Sequence, residues 1–120
     1  MTGIVDSGGR ALLPIRLQHP VSQVETVLEA WIDTGFTGDL VMPAKLIGSL
    51  GLPLGSQVTA TLADGSVLQL DTYYCFLEWF GQWKSIEVIA NQGQFPLLGV
   101  GLLVGHSLHI DYQSNTVLVT

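Results

Sequence analysis

Short apolar or alternating runs, punctuated by Gly, Pro, Asn and Asp, make up most of this 120-residue chain, and that grain predicts an all-β domain. Residues 11–17 (ALLPIRL) and 24–32 (VETVLEAWI) read as two strands joined by the polar turn QHPVSQ, and residues 38–42 (GDLVM) as a third. In PAKLIGSLG, Pro43 takes the favoured first position of a short helix, Leu46, Ile47 and Leu50 give it an apolar face, and Gly51 stops it. From Gln57 to Trp79 the alternation continues on both sides of Asp64-Gly65, a strong two-residue turn signal, so a long hairpin with a projecting tip is expected. The second arm turns at FGQ and returns through WKSIEVIA, where Ile86, Val88 and Ala90 share a face, and NQG closes that strand. PLLG then reads as a short buried strand, VGLLV as one or two helical turns, and LHIDY and TVLVT as closing strands around QSN. With no linker, low-complexity tract or strong internal repeat, residues 1–120 are expected to form one domain.

Composition sharpens this picture. Hydrophobic residues make up 48% of the chain and charged residues only 12%, which belongs to a folded protein with few charges to keep it from associating. A chain of this size buries roughly two-thirds of the surface it exposes when unfolded. The net charge is −6, and the only cations, Arg10, Arg16, Lys45 and Lys84, form no cluster. Nucleic acid is therefore not an expected partner. The apolar run from Pro96 to Gly105 is far short of the ~20 residues that cross a bilayer, so no membrane partner is expected either. Cys75 is the single cysteine and cannot form an intrachain disulfide, and MTGIVDSGGR lacks the basic start and apolar stretch of a signal peptide. A reducing compartment, the cytoplasm, is the expected location.

The chemistry centres on WIDTGFTGDLVMP, residues 31–43. An acid, Asp33, stands between an apolar run and a glycine-containing loop, where burial of a lone carboxylate is costly unless something satisfies it. Asp-Thr-Gly after an apolar strand, a projecting ADGS hairpin, and PLLG followed by a short helix occur in the order found in retropepsin-like aspartic peptidases. From about Arg10 to Val119 the chain resembles these single-domain, retroviral-protease-like enzymes. Asp-Thr-Gly alone is a weak signal; joined to the triplet Leu97, Leu98 and Gly99 half a domain later, it is much more specific.

The resemblance implies a small closed β-barrel with one or two short helices. It implies that Asp33 is one member of a catalytic carboxylate pair. Two carboxylates about 3 Å apart cannot both ionise and so share a proton, as aspartic proteases as a class do. One member then takes a proton from the attacking water and the other donates to the developing oxyanion, with no metal, cofactor or covalent intermediate. Thr34 would hydrogen-bond across to a partner loop, Gly35 would admit backbone close to the carboxylates, and Leu97, Leu98 and Gly99 would support the Asp33 loop. Because the chain carries one such aspartate, the resemblance implies a homodimer in which Asp33 meets its own copy at a two-fold axis. An extended peptide would lie on Gly35, Phe36 and Thr37 beneath a flap made of Leu62, Ala63, Asp64, Gly65 and Ser66. The apolar TVLVT end, an open edge by itself, would pair across the dimer.

The sequence also departs from the pattern. Phe36 stands where retroviral enzymes usually have Ala and pepsins Ser, and it cannot hydrogen-bond a carboxylate. The acidic groups that follow the motif in retroviral enzymes are missing, with Asp39 later and out of phase, and the flap tip is not glycine-rich. Three functions stay open: a homodimeric aspartic endopeptidase, a non-catalytic peptide-binding or dimerisation module of the same fold, and a monomeric small-ligand β-barrel. Asp6-Ser7-Gly8 matches Asp-Ser-Gly but has no apolar strand before it and reads as a turn. His106 and His109 lack a third ligand and read as solvent-facing or capping groups, and His19 lies in a turn. Asp111 reads as a strand-end surface carboxylate. Tyr73, Tyr74, Phe76, Trp79, Phe80 and Trp83 are assigned to the core or to cross-strand pairs, and Cys75 to a small buried site.

Overall fold

Strand β2 (Ala11–Gln18) turns Leu13, Ile15 and Leu17 inward and Pro14 and Arg16 outward, the period-two pattern of a sheet with one face on a core. It pairs antiparallel with β3 (Glu25–Ile32), placing Leu12 opposite Trp31 and Gln18 opposite Glu25. The computed structural model describes residues 1–120. Its other strands are β1 (Thr2–Val5), β4 (Leu40–Pro43), β5 (Leu54–Thr61), β6 (Val67–Trp79), β7 (Gln82–Asn91), β8 (Leu97–Leu98), β9 (Leu108–Asp111) and β10 (Thr116–Val119), and the helices are α1 (Ala44–Leu50) and α2 (Val100–Leu103). The fold is all-β with two short helices, as the alternation predicts.

One sheet runs in the order β5-β6-β7-β4-β8-β3-β2-β1-β10-β9. A second pairing joins β2 to β6 through Leu17–Leu77 and Gln18–Phe76, so β6, β7, β4, β8, β3 and β2 follow one another round a ring. The side chains of Leu13, Leu40, Met42, Leu77, Val88 and Leu98 fill its interior and are wholly buried. Burial of each such side chain stabilises the fold by roughly 1.5–3 kcal/mol. Cys75 belongs to the same core, and burial pushes its thiol pKa up to about 12.

Several expectations are corrected. Residues 2–5 form a strand that the sequence pattern did not single out, held by β2 on one side and β10 on the other. Pro43 keeps extended backbone (ψ 135°) and ends β4, so α1 begins at Ala44; Gly51 closes it in the left-handed region (φ 65°) as expected. TVLVT is no open edge: β10 lies between β1 and β9, and the Met1 amine donates to the Val119 carbonyl at 2.7 Å. Of the six aromatics between Tyr73 and Trp83 only Trp79 is buried. Tyr74 on β6 and Trp83 on β7 stand on the outer face of that pair at 38% and 42% exposure, and Phe80, in the turn between the two strands, is 42% exposed.

Candidate active site

Strand β8 is only two residues long, yet it lies between β3 and β4, parallel to the first (Ile32 opposite Leu98) and antiparallel to the second (Leu40 opposite Leu98). Asp33 is the first residue beyond β3. Its amide donates to the Leu98 carbonyl at 2.9 Å, and the Trp31 amide donates to Pro96 at 2.8 Å. From there the loop turns, with the Phe36 amide donating to the Asp33 carbonyl at 3.2 Å. The returning segment is fastened to the start of α2: the Gly99 amide donates to Asp39 (2.9 Å), Val100 to Phe36 (2.7 Å) and Gly101 to Gly38 (2.9 Å). Glycine is required at Gly99, since a Cβ there would collide with the Gly38 carbonyl and the Phe36 ring. Leu98 and Gly99 thus hold the Asp33 loop through backbone hydrogen bonds, while Leu97 pairs with Trp31 and Val41 on the flanking strands.

The Asp33 side chain lines an open cleft of about 290 Å³ together with Trp31, Ile32 and Leu97. Its Oδ1 accepts the Gly35 amide at 2.9 Å, the one side-chain hydrogen bond that Asp33 makes. Asp33 is half-buried in the chain, not sealed in apolar surroundings. The expected desolvation problem is therefore absent from the single chain, because the residue steps off the end of β3 into the cleft.

No protein-family model and no curated protein matches the sequence. Solved structures match it by shape. The retropepsin-like aspartic protease from Rickettsia conorii superposes with a TM-score of 0.69 at 16% identity, covering 99% of this chain and 88% of that one. Simian foamy virus (mac) protease gives 0.52 at 22% identity over 78% of this chain and 91% of its own. The retroviral protease-like domain of Ddi1 from Leishmania major gives 0.51 at 16% identity over 92% and 87%. The fold is retropepsin-like.

Within this retropepsin-like chain the sequence-derived site residues divide into two groups. Asp33 and Phe36 meet Leu98 and Gly99 in the interlocked loops, Leu97 pairs with Trp31 just before Asp33, and Thr34, Gly35 and Thr37 lie on the same loop. Thr34, Gly35 and Thr37 are exposed, whereas the Phe36 ring folds back onto Gly38 and Gly99. Leu62, Ala63, Asp64, Gly65 and Ser66 sit apart, on the β5–β6 hairpin, and no hydrogen bond ties them to the Asp33 loop within the chain. Their turn is not the two-residue one expected. Ala63, Asp64 and Gly65 form the loop, with the Gly65 amide donating to Leu62 (2.9 Å), the Leu62 amide to Ser66 (2.8 Å) and Gly65 at φ 85°. The Asp64 carboxylate accepts the Ser66 hydroxyl at 2.6 Å and amide at 2.8 Å, which hold its pKa below the ordinary value.

Sequence reasoning missed the structural part played by Gly38 and Gly101; the spacing GFTG against GVG was the available signal. It also missed the use of Arg10, whose guanidinium lies 4.3 Å from the Phe95 ring centre and 5.9 Å from that of Trp31 while its Nε donates to Asp6 at 2.7 Å. Asp6 is a turn residue as expected. It accepts the Arg10 and Gly8 amides, each at 2.9 Å, and the Arg10 amide and side chain are the leading causes that lower its pKa. Asp111 likewise closes the β9–β10 turn by accepting the Gln113 amide at 2.8 Å and the Ser114 amide at 3.2 Å. His106, expected to face solvent or to cap, is half-buried. It stacks on Phe80 with ring centres 4.4 Å apart and accepts the Trp79 indole N–H at 3.3 Å. No group of three His, Cys, Asp or Glu side chains is placed to hold a metal.

Proposed function

We propose that this chain is a homodimeric aspartic endopeptidase that cuts extended peptides with a water held between two Asp33 carboxylates, one from each copy. The observation that carries the reading is the presentation of Asp33: one carboxylate, at an open cleft, on a loop locked to β8 and α2 in a retropepsin-like fold. The other aspartates of Asp-Ser-Gly and His-Ile-Asp-Tyr are occupied in their own turns, so the second acid comes from a second copy. An apolar row supports such pairing. Leu118 and Ile4 share the outer face of the β10–β1 pair, Ile4 stands opposite Leu12, and Leu12 opposite Trp31. Ile4, Trp31 and Leu118 are 52%, 39% and 42% exposed, a surface suited to an isologous contact beside the cleft. The six-strand ring is read as a small closed barrel.

In the assembled site the ionised member of the pair takes a proton from water as its oxygen attacks the peptide carbonyl. The protonated member donates to the carbonyl oxygen. Collapse of the tetrahedral species then returns a proton to the leaving amine and breaks the C–N bond. Thr34 bridges the two loops, and the Leu62–Ser66 hairpin closes over the substrate and excludes water. The reaction calls for no metal and no cofactor. Cys75, free and buried, suits a reducing compartment, and the cytoplasm is the proposed location.

Phe36 favours a second reading, a peptide-binding or dimerisation module without turnover, because it cannot supply the hydrogen bond that Ser gives in pepsins. Incubation with a diverse peptide mixture from about pH 3 to pH 8, read by mass spectrometry beside Asp33→Asn, separates the two. The peptidase reading expects cleavage in the acidic range that falls on dilution, stops with a statine-type mimic and is absent from Asp33→Asn. Cleavage that survives Asp33→Asn refutes it, and a dimer without turnover at any pH selects the module.

A further inference from the structure

The three atoms that a Cβ at Gly38 would meet first all belong to the Phe36 ring: it would collide with Cζ and lie 3.0 and 3.2 Å from Cε1 and Cε2. A Cβ at Gly99 would collide with the same ring at Cδ2, and with the Gly38 carbonyl besides. The ring therefore occupies a slot that two glycines open, one on the Asp33 loop and one on the β8–α2 turn. Its backbone is tied to both sides, with the amide donating to the Asp33 carbonyl at 3.2 Å and the carbonyl accepting from Val100 at 2.7 Å. Gly38 itself is not in the left-handed region, so its lack of a side chain answers to the ring and not to its backbone angles.

We infer that Phe36 is a positioning residue: its ring, wedged between Gly38 and Gly99, fixes how the loop presents the Asp33 carboxylate. Packing here takes over the work that a hydroxyl does in pepsins. The kinetic part of the inference rests on the peptidase reading; the fit of ring to glycine does not. Loss of the ring leaves a void into which the loop relaxes, and a shift of about 1 Å at a reacting group can cost on the order of 10²-fold in rate.

The test is a double-mutant cycle of Phe36→Ala and Gly38→Ala, read by melting temperature and by kcat, KM and the pH–rate profile on a cleaved peptide. Gly38→Ala is expected to lower the melting temperature with Phe36 present, and to be tolerated or stabilising with Ala at position 36. In Phe36→Ala, kcat is expected to fall about 10²-fold with KM nearly unchanged. The apparent pKa values of the profile are expected to move, because the pair's spacing sets them. Phe36→Leu should recover most of the rate. Additive melting effects, or a folded Phe36→Ala with unchanged kcat and profile, overturn the inference. Should Phe36→Ala not fold, the melting cycle of Phe36→Leu with Gly38→Ala decides: coupling between the two changes upholds the inference, and additive effects overturn it. Wild-type protein without turnover removes both the peptidase reading and the positioning role, whereas normal wild-type turnover with an unmoved Phe36→Ala removes the positioning role alone.

Discussion

Replacing Thr34 by Ala separates what the site does inside one chain from what it would do across the proposed dimer. Within the chain Thr34 is exposed, and the one side-chain hydrogen bond of the Asp33–Gly35 stretch, from the Gly35 amide to Asp33, does not involve it. Thr34→Ala should therefore change protomer stability by no more than about 0.5 kcal/mol, a shift of only ~2–3 °C in melting temperature. In the proposed dimer the two-fold axis would double the loss. At about 1 kcal/mol for each hydrogen bond given across the interface, the pair contributes about 2 kcal/mol, and the dissociation constant should rise about thirtyfold. Sedimentation equilibrium over a range of concentrations gives that constant, and melting of dilute monomer gives the other quantity. An unchanged dissociation constant, or a monomer that melts more than about 5 °C lower, would show the hydroxyl at work inside the chain and refute the reasoning.

Other expectations are as direct. Leu98→Ala empties a wholly buried position paired on both sides, and should cost about 2–5 kcal/mol in denaturant unfolding; a loss under about 1 kcal/mol would mean that β8 is not the centre of the core. The Ser66 hydroxyl, then its amide, lower the Asp64 pKa from 3.8, so the hydrogen-bonded tip of the β5–β6 hairpin is intact above that value and is lost as pH falls through the lower folded one. Amide chemical shifts of Ser66 followed into acid should track that loss, and shifts that never move would contradict it. Cys75, with a thiol pKa near 12, should react with an alkylating reagent at neutral pH only as fast as the protein opens. Labelling at the rate of a free peptide thiol would place Cys75 outside the core.

The Asp33 loop, the short strand β8 and the main turns were legible in the sequence because they coincide with local signals. Asp33 follows a β-branched and aromatic run, PLLG is short and wholly apolar, and Gly51 and Gly65 mark turns that need positive φ. What was not legible depends on partners far along the chain. TGIV becomes β1 only because β2 and β10 flank it, and β10 loses its open edge for the same reason. Pro43 is compatible with a strand end or a helix start, and its pairing with Asn91 on β7 decides for the strand. The aromatics of β6 and β7 are favoured in any strand, buried or not, so composition could not tell which face the core would take. The packing of the Phe36 ring on Gly38 and Gly99 was not legible either, since Gly99 lies far along the chain.

The two-residue strand β8 has a kinetic consequence. Its partners on β3 and β4 are made early in the chain, but Asp33 receives its backbone acceptor only when Leu98 arrives. Contacts between such distant segments close slowly and late in folding. A nascent or C-terminally truncated chain therefore holds its acidic loop without a fixed geometry, and under the proposed peptidase function its chemistry would wait for the finished fold.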